Sequence, residues 1–304
     1  MDITVQSLWN HREDSKPQLK NGELLSNAKI GLEVEIENMY NPAHVSGWRL
    51  TSDGSLRNNG VEYVFNGPIG GSAACKRIDC LHKYLETVPD KRFSERTSLH
   101  VHVDVRDLSW DQVLSLVILY AMVEPYLFSI CGQEREEGIY SLSLYRGKNQ
   151  IDNLFDLIHS GPSGVTERHF SKYAALNLLS LRSFGSLEFR GHKGSGDKRE
   201  IINWINHLLS LKMFVLDPSK SLHDLPKILS TDGHIAMLRH VFSDKLIVKN
   251  IKSANRVRKK IYDGVCIGED LLFTTRFREA HSEIHQNYQG QTQLEKLKDN
   301  LCVD

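Results

Sequence analysis

The sequence carries no excess of either charge. Its 38 Lys and Arg residues balance 38 Asp and Glu, so no strong overall field draws it to nucleic acid or to an anionic membrane surface. Cysteine is sparse: Cys75, Cys80, Cys131, Cys266 and Cys302 form no CxxC and no zinc-finger spacing, which excludes a disulfide scaffold and implies reduced thiols. Long apolar runs are missing as well. The longest, Val113 to Val123, is broken by Ser115 and is shorter than a bilayer-spanning helix requires. The first residues, MDITVQSLWNHREDSK, lack the apolar segment of a signal peptide. There is no internal repeat or low-complexity tract, and no P-loop or dinucleotide-binding glycine fingerprint. These absences predict a soluble, cytoplasmic protein with no nucleic-acid or membrane partner, and they carry no signature of an oligomeric state.

What is present is an ordinary globular composition, 40% hydrophobic and 25% charged over 304 residues, enough for one large domain or two small ones. Residues 1–28 read as a polar, irregular lead-in. From Lys29 to Glu37, Ile30, Leu32, Val34 and Ile36 alternate with Gly31, Glu33, Glu35 and Glu37, the pattern of a strand with one buried face. Trp48–Thr51 and Val61–Phe65 read as further strands around the turn sequences Ser52-Asp53-Gly54-Ser55 and Arg57-Asn58-Asn59-Gly60. Ser72 to Glu86 reads as a helix, and Leu99 to Val105 alternates as another strand. Ser109 and Gln112 form a capping box opening a helix to about Ile130. Tyr173–Leu181 and Ser186–His192 read as paired strands, Asp197–Leu216 as a helix with an apolar face, and 217–304 as a mainly helical extension. Hairpin-linked strands mixed with helices predict an α+β fold, with a core over 29–216.

Three polar motifs each share one strand face. Glu33, Glu35 and Glu37 are same-face neighbours roughly 7 Å apart; either this is a solvated polar face, or cations lie among the carboxylates to offset their repulsion. Hard oxygen ligands suit Mg²⁺ or Mn²⁺, which bridge to the phosphates of ATP. Gly31 leaves room on that strand for a close approach. His100-Val-His102-Val-Asp104 places two imidazoles and a carboxylate together. It also opens like the HxHxD zinc motif of metallo-β-lactamase-like hydrolases, whose next residue is His where this chain has Val105. Glu188-Phe-Arg190 sets a carboxylate beside a guanidinium, a metal-and-phosphate pair or an ordinary surface ion pair. The turn Gly191-His192-Lys193-Gly194-Ser195-Gly196-Asp197 offers amides and Lys193 to a phosphate, or simply links strand to helix.

In this order, Gly31-Leu-Glu33-Val-Glu35, Asp53-Gly-Ser, Gly60-Val-Glu62, Leu99-His100-Val-His102-Val, Tyr173-Ala-Ala-Leu-Asn177, Glu188-Phe-Arg190 and Trp204-Ile205, the chain resembles the amidoligase family over about residues 29–215. That family is a branch of the glutamine synthetase and glutamate–cysteine ligase superfamily. The resemblance implies a curved, mainly antiparallel sheet with helices on one face, binding ATP and divalent metals on the other. It implies Glu33, Glu35, Glu62, Glu188 and His102 as metal ligands, Glu62 with a catalytic share. His100 and His102 would contact metal or phosphate groups, Arg190 would stabilise the phosphates, Asn177 would support the substrate carboxylate or the nucleotide, and Arg135 would be a further phosphate or carboxylate contact. Asp53 would position or deprotonate the amine. The implied reaction joins a small-molecule or peptide carboxylate to an amine through an acyl phosphate. Glu37 and residues 217–304 have no counterpart in the pattern. A zinc hydrolase on the HxHxD strand and a non-catalytic binding protein on the ligase fold are the alternatives.

Overall fold

A computed structural model describes residues 3–12, 20–132, 135, 136, 138, 141–146, 149–167 and 169–287. Its centre is a six-stranded antiparallel sheet in the order β2-β3-β1-β4-β6-β5, built from β1 (Ile30–Ile36), β2 (Trp48–Thr51), β3 (Val61–Phe65), β4 (Ser98–Asp104), β5 (Leu176–Asn177) and β6 (Ser186–Lys193). The fold is α+β, as expected from the alternating runs. The β2–β3 connection turns through Asn58 and Asn59, both left-handed (φ 51° and 55°), a conformation that asparagine tolerates better than most residues.

One face of the sheet is apolar. Leu32, Val34, Ile36, Leu99, Val101, Val103, Leu187 and Phe189 are all buried beneath α3 (Trp110–Cys131) and α6 (Lys198–Leu216), with α2 (Gly71–Glu86) packed beside α6. The capping box forms as expected: the Ser109 hydroxyl accepts from the Gln112 amide, and the Gln112 side chain accepts from the Ser109 amide. By length and composition α3 is apolar enough to cross a bilayer, longer than the Val113–Val123 run alone indicates, and most of it is buried inside the protein.

Three segments depart from the pattern that the sequence predicts. The lead-in is not wholly irregular: α1 (Val5–Leu8) is capped by Thr4, buries Val5 and bonds through the Val5 amide to the Leu108 carbonyl. The strand expected over Tyr173–Leu181 shrinks to two residues. Asn177 Oδ1 accepts from the Leu179 amide, and the Ser180 hydroxyl bonds the Asn177 and Ser186 carbonyls. These side-chain bonds turn the chain into the short helix α5 (Ser180–Phe184). A helix not foreseen, α4 (Gln150–Ser160), lies between α3 and β5. Beyond residue 217 the chain is helical as expected: α7 (Asp224–Val241), α8 (Asp244–Lys249), α9 (Ile251–Arg256) and α10 (Arg258–Asn287), with α10 packed along α3.

Glu124 lies wholly buried on α3, its carboxylate accepting from the Leu144 amide. Burial pushes its pKa up to about 8, against the lowering effect of that bond. In the unfolded chain the same group releases its proton near pH ~4.3. Across that window the unfolded state binds fewer protons than the folded one, so stability falls as pH rises and levels off above about pH 8. We expect Glu124→Gln to match the parent in melting temperature at pH 5 and to exceed it by several degrees at pH 8.5. Parallel melting curves across pH would refute this assignment of the buried carboxyl.

Candidate active site

The other face of the sheet carries the polar motifs, and the antiparallel register decides which side chains meet. Glu35 pairs with Glu62 of β3, Glu33 with His100 of β4, and Gly31 with His102. His102 then pairs with Glu188 of β6, and Glu188 with Asn177 of β5. A diagonal band of carboxylates, imidazoles and an amide thus crosses five strands. Directly opposed residues in such a ladder have Cβ atoms about 5 Å apart, so motifs far apart in sequence become contacts.

The contacts are close. Glu33 Oε2 accepts from His100 Nδ1 at 3.0 Å, and His102 Nε2 lies 3.4 Å from Glu33 Oε1. Glu188 accepts from Asn177 Nδ2 at 2.7 Å and from Arg190 Nη1 at 2.5 Å. Glu35 Oε2 accepts from the Ser98 amide at 2.6 Å, and Glu62 Oε2 from the Thr51 hydroxyl at 2.8 Å. Asp53 uses Oδ1 to close its own turn on the Ser55 amide, and it still reaches Glu35 and Glu62. Glu35 and His100 are only 3% and 2% exposed, which removes the solvated-face alternative for these two side chains.

Among the described residues, three groups have potential ligand atoms within 4.8 Å of one another: Glu33, Glu62 and His100; Glu33, His102 and Glu188; and Glu35, Asp53 and Glu62. Glu33 and Glu62 each belong to two of them, so the groups form one continuous cluster.

Its electrostatics are those of a site short of positive charge. Burial, and after it the Glu33 charge, raise the pKa of Glu62 to about 7. Burial likewise raises Glu35, with the Asp53 charge adding to it. Burial alone would raise Glu33 too, but hydrogen bonds from His100 and His102 outweigh it and hold this carboxyl well below the usual range. Glu188 is also lowered, since His102, His100 and Arg190 overcome its burial. For His100, burial and Arg190 favour the neutral ring, but Glu35, Glu33 and Glu188 raise its pKa. His100 Nε2 and Arg190 Nε are buried with no hydrogen-bond partner among the described residues. Crowded carboxylates, two of them driven towards protonation, together with unsatisfied donors, form a donor set that fits divalent cations carrying an anionic ligand. Glu33, Glu35, Glu62, Glu188 and His102 would hold the metal, and His100 and Arg190 the anion.

Above this band a cavity of about 460 Å³ opens on Glu33 and His102, walled by Arg49, Val64 and Phe184. Gly31 lies in its floor. A Cβ there would come within 3.2 Å of the His102 Cβ, so the close approach that the glycine permits is made by the histidine of the neighbouring strand.

Several predicted residues do not join the cluster. Glu37 is buried and accepts from the Arg57 amide, bracing the β2–β3 turn. Asp104 is gripped by Arg106 through Nε (3.0 Å) and Nη2 (2.7 Å), so the third member of HxHxD is committed elsewhere. Lys193 pairs with Glu200 at 3.2 Å beside a separate cavity of about 680 Å³, whose lining includes none of the cluster residues. In that turn Gly194 is required by packing, because a Cβ would fall 2.4 Å from Thr97 Oγ1. Arg135 is 2% exposed and spends its guanidinium on protein acceptors, so it is not the open phosphate contact expected of it. Thr51, Ser98 and Ser186, which belong to none of the three polar motifs, also contact the cluster, the last within 3.1 Å of His102 Nδ1. Ser98 and Ser186 share the strand parity of His100 and Glu188, a signal that was available.

No family model matches the chain, and no curated protein matches it in sequence.

Proposed function

We propose that the chain is a cytoplasmic, ATP-dependent carboxylate–amine ligase with a glutamine-synthetase-like active site. The observation that carries the reading is the single cluster of Glu33, Glu35, Glu62, Glu188, His100 and His102, with Arg190 among them, on one face of the sheet. Divalent metal, when bound, would neutralise the nucleotide's phosphates and align γ-phosphoryl transfer to a carboxylate oxygen. Arg190, half-buried and anchored through Nη1, has a buried Nε with no partner among the described residues and would bind an oxyanion. Asn177 fixes Glu188 by its amide, leaving Glu188 Oε1 towards the histidines and Arg190. Asp53 and Glu62, at the β2–β3 end of the cluster, supply carboxylates for the amine; one of them takes its proton as nitrogen attacks the acyl carbon and phosphate departs. The hydrolase alternative loses its third ligand, because Asp104 is held by Arg106.

The test is ATP turnover with Mg²⁺ against pooled carboxylates and amines, followed by phosphate release and mass spectrometry. We expect ADP, phosphate and an amide in equal amounts, formed only when acid and amine are both present. Stoichiometric zinc in the purified protein with no affinity for nucleotide would contradict it.

A further inference from the structure

β4 and β6 do not pair evenly. Leu99 pairs with His192 and Val101 with Phe189, so the single residue His100 faces two, Arg190 and Gly191. This is a β-bulge on β6, a feature that re-aims side chains. Strict alternation would put Glu188, Arg190 and His192 on one face. With the bulge, Arg190 stays on that face, 3.4 Å from His100 Nδ1, while His192 turns into the core against Trp204.

The bulge costs ladder bonds, and its freed carbonyls need donors. One buried guanidinium supplies them. Arg135 donates from Nη2 to the Arg190 carbonyl (3.1 Å), from Nε to the Gly191 carbonyl (3.3 Å) and from Nη1 to the Glu95 carbonyl (3.2 Å). Nη2 also bonds the Ser98 hydroxyl (2.9 Å), and the Ser98 amide holds Glu35. The planar fork of arginine suits such divergent acceptors, and lysine cannot reproduce it.

We infer that Arg135 is a positioning residue: it fixes the β6 bulge and so aims Arg190 into the carboxylate–imidazole cluster. Its effect on nucleotide binding rests on the oxyanion role proposed above for Arg190; its effect on the orientation of Arg190 does not.

The experiment uses the full chain labelled with ¹⁵N-arginine. The Arg190 Nε–H resonance, assigned with Arg190→Lys, should shift or broaden in Arg135→Lys and, to a lesser degree, in Ser98→Ala, a mild substitution that removes one acceptor of the fork. MgATP affinity on the same samples should fall about 10- to 100-fold in Arg135→Lys, in line with losses typical of residues that orient ligands. Adding Arg135→Lys to Arg190→Lys should weaken MgATP no further. An unmoved Arg190 resonance in both Arg135→Lys and Ser98→Ala overturns the inference, as do additive losses in the double variant. A shifted resonance in a protein that binds no MgATP sustains the positioning role and rejects the ligase proposal.

Discussion

Replacing Glu33 with glutamine should cost at least about 100-fold in divalent-metal affinity, beyond the 10- to 100-fold range of outer-shell partners, and should abolish amine-dependent ATP turnover. The substitution keeps the shape of the side chain and an oxygen that can accept from His100, so the fold should persist. What it removes is charge at the position where two of the three ligand groups overlap. Glu33 is also a carboxylate that His100 and His102 hold ionised, whereas Glu62 and Glu35 are both pushed towards the protonated form. Mn²⁺ titration followed by electron paramagnetic resonance, with turnover measured in parallel, reads both effects. Retained Mn²⁺ affinity would remove Glu33 from the ligand set.

The second large effect concerns the sheet behind the site. Phe189 is 1% exposed, lies between Glu188 and Arg190 in sequence, and stacks at a tilt on Tyr120 of α3 with ring centroids 5.6 Å apart. Phe189→Ala should cost about 3–5 kcal/mol through lost burial and the cavity left behind. For a chain of this size that corresponds to a fall in melting temperature of about 6–15 °C. Because the neighbouring side chains face the cluster, metal affinity should weaken with it. A loss under about 1 kcal/mol would mean that α3 closes the gap, as sites that collapse well do.

Much of this architecture was legible in the residues. The alternation of Ile30 to Ile36 and of Leu99 to Val103 located β1 and β4 and put the carboxylates and imidazoles on single faces, because strand periodicity is local. The Ser109–Gln112 box set the start of α3 for the same reason. Register was not legible. That Glu62 lies opposite Glu35, and Glu188 opposite His102, is decided by pairing between distant segments. The bulge at Arg190 and Gly191 was invisible to alternation, and with it the departure of His192 into the core and the use of Arg135 as a brace. Asp104 was misplaced because its partner, Arg106, two residues on, is an equally unremarkable surface ion pair in sequence. The β5 strand was overestimated because Asn177 and Ser180 bond the backbone with their side chains, a choice that tertiary context makes.

The most direct measurement of the central claim is anomalous diffraction at the manganese edge from crystals grown with Mn²⁺ and a non-hydrolysable ATP analogue. The account predicts manganese peaks at about 2.1–2.5 Å from carboxylate oxygens of Glu33 and at least one of Glu62 and Glu188, with analogue phosphate against Arg190. Manganese confined to other surfaces, or a nucleotide seated away from this face of the sheet, would contradict it.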